Sequence, residues 1–284
     1  MKKYINQTYQ EERALYNIKN SEVENCLFEG LEDGESPLKE CCDVKVNNCI
    51  INLRYPFWHN KDVSITNTIM GENCRAALWY CKNITIDNIS SKGIKAVREC
   101  NNVTINNSSF QSEEFGWKSN KLNIDKSSFI GPYFLFNTNN IKITNSTLKG
   151  KYSFQYNKNV KIENCVFDTK DAFWHTKNVT VKNSTLIGEY IGWYSNKLTL
   201  INCVIKGTQP FCYCNDLTLI NCELIDADFA FENSKVNASI KGNVISIKNP
   251  LKGKIVVDSV DEIILKDYTK QPKGKIIIRN KTTH

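Results

Sequence analysis

With 284 residues, 41% hydrophobic and 24% charged, the chain has enough apolar content to bury a core, which excludes a disordered protein. No apolar run approaches the roughly 20 residues of a membrane span. Of the net charge of +7, +6 resides in the last segment, where residues 241–284 hold ten Lys and Arg against four Asp and Glu; the near-neutral body argues against a nucleic-acid reader.

At the N-terminus, Met1-Lys2-Lys3-Tyr4-Ile5 runs into the polar Thr8-Tyr9-Gln10-Glu11-Glu12. No secretory signal is read there, and a cytoplasmic location is expected. Residues 1–20 read as an incomplete first coil: Glu12-Arg13-Ala14-Leu15-Tyr16 resembles a helix in composition but echoes Arg75-Ala76-Ala77-Leu78-Trp79-Tyr80 further on.

Residues 21–240 repeat one pattern. Strand-like openings with alternating apolar residues begin at Ser21, Val44, Val63, Ile84, Val103 and then every 19 residues to Val236. Alternation at period two points one face inward. The fifth place of each unit holds Asn, from Asn25 and Asn48 to Asn221, broken by Lys126 alone. Asn tolerates the left-handed corner conformation, and stacked amides can bond to one another. A second apolar position follows, as in Phe110, Phe129 and Phe167. Then comes an expected third strand with an inward column including Leu38, Phe57, Phe154, Phe173 and Phe211, interrupted by Gly116, Gly192 and Ala230.

Three short strands in 19 residues cannot close a core alone, so the coils must stack. The reading is all-β: a single-stranded right-handed parallel β-helix of about twelve coils in one domain spanning residues 1–284. Residues 241–284 read as basic strands, with Val244–Ile247, Lys254–Val257, Glu262–Leu265 and Lys275–Ile278 closing the solenoid end.

On Arg75-Ala76-Ala77-Leu78-Trp79-Tyr80, Lys170-Asp171-Ala172-Phe173-Trp174-His175 and Gly188-Glu189-Tyr190-Ile191-Gly192-Trp193-Tyr194, the chain resembles the pectate-lyase-like β-helix superfamily, specifically a bacterial branch catalogued as a domain of unknown function. The resemblance covers nearly the whole chain and implies the fold. The superfamily's calcium-binding acidic group and tight aspartate group are not matched.

The 12 cysteines include no Cys-x-x-Cys pair, and Cys212-Tyr213-Cys214 lacks His neighbours, so no metal and no cofactor are expected. They read as small core residues.

All five tryptophans fall in one column just past the inward position: Trp58, Trp79, Trp117, Trp174 and Trp193, with Lys39, Arg98, Gln155, Cys212 and Phe231 in the same phase. Too large and too polar for the interior, this column is expected outside. The next column holds Glu99, Lys118, His175, Tyr194 and Tyr213, also polar, and alternation cannot expose both unless one sits at a bend. Upstream lie Lys170, Asp171, Glu189 and Tyr190.

Aromatic rings beside amines and carboxylates suggest a groove for an oligosaccharide, with Trp174, Trp193, Tyr194, Tyr190, Lys170, Trp79, Trp117 and Trp58 as binding residues. The alternative is a stacked ladder serving stability or homo-oligomer contact, with the face meeting another chain. If the protein is an enzyme, the chemistry is expected near Asp171 and Glu189, a carboxylate pair suited to hydrolysis, with His175 orienting or protonating a leaving group. A lyase would instead use a basic residue, and Lys95, Arg98 and Lys118 lie near Glu99, Glu113 and Glu114; that cluster reads rather as charge pairing, with Lys95 opposite Glu114 and Glu99 opposite Lys118.

Overall fold

The computed structural model describes residues 1–30, 35–266 and 271–279. Lys270, Lys281 and His284 lie outside the described residues. Among those described, every regular element is a strand, and paired strands run parallel, giving a β-solenoid of about 14 turns. Its compact units are Met1–Thr147 and Leu148–His284.

In the first unit, the openings become strands such as Cys42–Asn47, Lys61–Thr66, Lys82–Asp87 and Asn101–Asn106. Their apolar residues lie over one another: Val44 on Val63, Val63 on Ile84, Ile84 on Val103 and Val103 on Leu122. Each of these residues is buried, as inward alternation requires. At the corner that follows, Asn48, Asn67, Asn88 and Asn107 adopt φ of 52°, 50°, 53° and 49°. Amide rungs link coils, with Asn48 Nδ2 donating to Asn25 Oδ1 at 2.7 Å and Asn88 Nδ2 to Asn67 Oδ1 at 2.8 Å.

Beside the corner, a buried hydroxyl accepts from the preceding coil's backbone: Ile89 N–H donates to Ser108 Oγ at 3.2 Å and Ser108 N–H to Ser127 Oγ at 3.1 Å. That is why Ser, Thr and Cys share this column: the place is small and faces backbone polar groups. A second amide ladder, not read from the sequence, stands where the openings begin. There Asn83 Nδ2 donates to Asp62 Oδ1 at 2.7 Å and Asn102 Nδ2 to Asn83 Oδ1 at 2.9 Å. The left-handed φ of Asp62, Asn83 and Asn102 and the Asn-rich Asn101-Asn102 entry to that strand were its signal.

In the second unit, strands Lys158–Glu163, Lys177–Lys182, Asn196–Ile201 and Asn215–Ile225 stack with Val160 on Val179, Val179 on Leu198 and Leu198 on Leu217. Phenylalanines form the interior, with Phe154 and Phe173 stacked at 4.7 Å between centroids and 9° between planes. Beyond Lys241 the pairing continues, Val236 on Gly253 and Ile255 on Ile276, while Val244 lies on Val260. The final strands thus add turns of the same solenoid, extending the about twelve coils read from the repeat.

Phe231 and Cys212, expected in the outer column, are instead fully buried at 0% exposure. Phe231 stacks on Phe211 at 6.1 Å. The coil between them is one residue longer than the 19-residue period, which carries Phe231 into the inward place.

Candidate functional site

The third face of each coil departs from a pleated strand. Two-residue strands occur at Leu78–Trp79, Val97–Arg98, Glu114–Phe115 and Tyr133–Phe134; elsewhere the face is a run of turns. In the second unit every other residue there is left-handed: Asp171, Phe173 and His175 at φ of 55°, 62° and 54°, then Tyr190, Gly192 and Tyr194 at 58°, 80° and 57°. Their N–H groups bond to neighbouring coils in alternate directions. Asp171 and His175 donate to Glu189 O and Trp193 O at 2.9 and 3.0 Å, and Phe173 donates to Ser153 O at 3.0 Å. These bonds hold non-glycine residues in a conformation costing about 1–2 kcal/mol each.

Alternating handedness resolves the conflict between the two outer columns. Phe173 points inward, Trp174 is half-buried, and His175 is exposed. Three of the five tryptophans spend the indole N–H on a backbone carbonyl one coil on: Trp174 Nε1 on Tyr190 O, Trp193 Nε1 on Gln209 O and Trp58 Nε1 on Ala76 O, all at 2.7 Å. Trp174 and Trp193 stack at 5.5 Å and 7°, and Tyr190 meets Trp193 edge-on at 5.3 Å. The exposed column is a ladder in which His175 lies between Tyr156 at 5.0 Å and Tyr194 at 4.9 Å, with Tyr213 4.9 Å beyond. Interplanar angles of 7°, 4° and 10° leave the ring edges, not their faces, toward solvent.

The two carboxylates sit in unlike surroundings. Asp171 is only 6% exposed, and its carboxyl has no hydrogen-bond partner among the described residues. Burial pushes its pKa above the usual carboxylate range and Glu189 adds to the rise, while Lys170 and Lys151 oppose it. The Glu189 side chain, 49% exposed, pairs with Lys170 at 3.8 Å. A buried carboxyl held toward its acid form beside one paired with a lysine resembles the division of roles in hydrolytic sites. The cover over Asp171, however, leaves little of it for a substrate to reach.

In the first unit, Trp58 and Trp79 meet edge-on at 5.0 Å. Trp117 contacts Phe136 at 5.0 Å, and its indole N–H is buried without a partner among the described residues. Arg98 supplies what the sequence reading missed. Its guanidinium lies 5.0 Å from the Trp79 ring and 5.4 Å from the Trp117 ring, and Nη1 reaches Glu114 at 2.9 Å. Lys95 pairs with Glu114 at 3.8 Å as expected. Glu99 turns to Arg98 at 3.6 Å and accepts from Trp79 Nε1 at 3.3 Å, in place of the expected pairing with Lys118. The long cation in the tryptophan column was the signal for this sandwich.

A family model described as "Protein of unknown function (DUF3737)" matches residues 2–278. No curated protein matches the chain in sequence. Among solved structures, the surface adhesin PfbA of Streptococcus pneumoniae is similar at 12% identity, over 93% of this chain and 84% of that one, with a TM-score of 0.42. A mutant tailspike protein of E. coli bacteriophage HK620 in complex with pentasaccharide is similar at 10% identity, over 92% of this chain and 60% of that one, at 0.40. The A-module of the Azotobacter vinelandii mannuronan C-5 epimerase AlgE4 is similar at 9% identity, over 97% and 87%, at 0.33.

Proposed function

We propose, for a chain that belongs to the DUF3737 family of proteins of unknown function, that it binds glycans along the third face of its second unit. The observation that carries this reading is the exposed row of ring edges, with Tyr156 at 47% and Tyr194 at 45% exposure on either side of His175. Phenol hydroxyls and an imidazole recurring once per coil suit a chain of sugars whose hydroxyls also recur along its length. Trp174 and Trp193 support the row from beneath, and Lys170 with Glu189 gives it a charged border. Binding suits this face better than cleavage, because Asp171 is covered and Glu189 is already engaged by Lys170.

The experiment is a glycan array followed by calorimetric titration of any hit. Tyr194→Ala should weaken binding on the order of tenfold, the loss of one ring contact and one hydrogen bond. An array with no binder, or an affinity untouched by both Tyr194→Ala and His175→Ala, overturns the reading. One observation favours a second reading, a non-catalytic ladder that meets another chain: the ring faces are already satisfied by one another. A dimer in sedimentation that dissociates on Trp174→Ala would support it.

A further inference from the structure

The Asn corner of the first unit carries an open groove of about 750 Å3 on a different side of the coil from the aromatic column. Its corner wall is formed by Asn48, Asn67, Asn88, Asn107, Lys126 and Asn145, five coil steps or about 24 Å at the spacing of neighbouring strands. Its other wall changes character along the way. The column that begins with Ile69, 54% exposed, continues as Ser90, Ser109, Ser128 and Thr147. Ser90 lies on Ser109 and Ser109 on Ser128 in strand register. None of these four hydroxyls has a hydrogen-bond partner among the described residues. Each retains a donor and two acceptor sites facing the groove.

Lys126 stands where this hydroxyl row faces the corner, and it breaks the amide ladder. Asn107 Nδ2 is spent on Asp87 Oδ1 at 2.8 Å, and with Lys126 above it Asn107 Oδ1 receives no amide rung. Lys126 itself is left-handed, with φ of 46°, a conformation that Asn accepts and Lys does not favour. The neighbouring carboxylate, Asp125, accepts from Thr144 Oγ1 at 2.6 Å and Asn145 Nδ2 at 2.8 Å; these bonds chiefly hold its pKa down, with a smaller contribution from the charge and backbone of Lys126. The Lys126 ammonium forms no ion pair among the described residues. The fold thus forgoes an amide rung and gains a cation without an ion pair, facing one row of free hydroxyls.

We propose that this groove binds a linear oligosaccharide of mainly neutral sugars bearing an isolated carboxylate. The hydroxyl row and Asn107 Oδ1 exchange hydrogen bonds with sugar hydroxyls, and Lys126 takes the carboxylate. A polyol needs partners that both donate and accept at regular intervals, which this wall supplies. A nucleic acid would need several cations, whereas Lys126 is the sole cation lining the groove among the described residues, and Asp87 and Asp125 bond to its corner asparagines. An adjoining hollow of about 370 Å3 shares Ile69 and Ser90 and carries Glu29, Glu72 and Lys92. Its carboxylates disfavour a polymer charged at every unit and direct the single acid to the Lys126 end.

The test is calorimetric titration of the whole protein with aldotetraouronic acid, a xylotriose bearing one glucuronate, against neutral xylotetraose. Lys126→Asn should weaken the acidic sugar roughly tenfold and leave xylotetraose unchanged, while Ser128→Ala and Thr147→Val weaken both. Wild-type affinity for the acidic sugar should fall with added salt. Because Lys126→Asn completes the ladder, its melting temperature should be no lower than that of the parent, so unfolding is not the cause of the loss. Failure to bind either sugar, or equal affinity of parent and Lys126→Asn for the acidic one, overturns the proposal. Loss on Tyr194→Ala with no loss on Lys126→Asn also overturns it, assigning the sugar to the aromatic face.

Discussion

Cysteine and aspartate carry the sharpest consequences of burial. Eleven of the 12 cysteines are buried, and Cys42 alone is partly exposed. Burial pushes the thiols of Cys41, Cys74 and Cys212 up to about 12. A hydrogen bond from Cys222 lowers the thiol pKa of Cys203, but Cys203 is 1% exposed, so access decides its reactivity. A chromogenic disulfide reagent at about pH 8 should therefore label one thiol quickly in the native protein, and Cys42→Ser should remove that phase. For Asp171, the raised pKa means the native state binds its proton more tightly than the unfolded chain. Its penalty on stability is absent below the ordinary carboxylate value of 3.8 and fully present above the raised native value. Asp171→Asn should accordingly raise the melting temperature at neutral pH, with the gain shrinking as pH falls through the raised native value and vanishing below 3.8. A gain that persists in acid would place its origin elsewhere.

Within a coil, the third face depends on residues that accept left-handed backbone without filling the interior. Gly192 has φ of 80°, and a Cβ there would lie 2.7 Å from Phe211 Cδ1; Gly116 has φ of 74°, and a Cβ would lie 2.3 Å from Leu135 Cδ2. Gly192→Ala should cost about 2 kcal/mol, from left-handed strain plus overpacking, read as a lower denaturation midpoint at unchanged slope. At the Asn corner the expected sign is opposite. Lys126→Asn restores a favoured left-handed residue and one amide rung, a gain of about 0.5–1.5 kcal/mol. A denaturation midpoint that falls on this substitution would show that Lys126 is stabilised by contacts within the chain.

Across a stack of coils, each turn rests on its neighbours, so damage should spread locally. Phe173 is fully buried and stacked on Phe154. Phe173→Ala should cost about 3–5 kcal/mol, with lost hydrogen-exchange protection concentrated in Lys158–Glu163, Lys177–Lys182 and the turns between them. Uniform loss throughout the second unit would indicate that its coils unfold as one block.

The repeat was legible in the sequence because its causes are local. Alternation puts Val63 and Ile65 inward whatever lies above them, and Asn at a sharp corner answers to its own backbone, so strand register, the Asn ladder at its observed angles and the inward Phe column all follow from spacing. The third face was not legible in the same way. Whether Trp174 or His175 meets solvent depends on the handedness of Asp171, Phe173 and His175, which is held by hydrogen bonds to residues of neighbouring coils. Asp171 and Glu189 occupy adjacent coils at nearly the same phase, one place apart, yet one is buried and the other exposed. The groove beside Lys126 was visible only as a single break in a column of asparagines. That it faces hydroxyls without partners was decided by stacking, because only the parallel register of coils turns residues 19 apart in the chain into one wall.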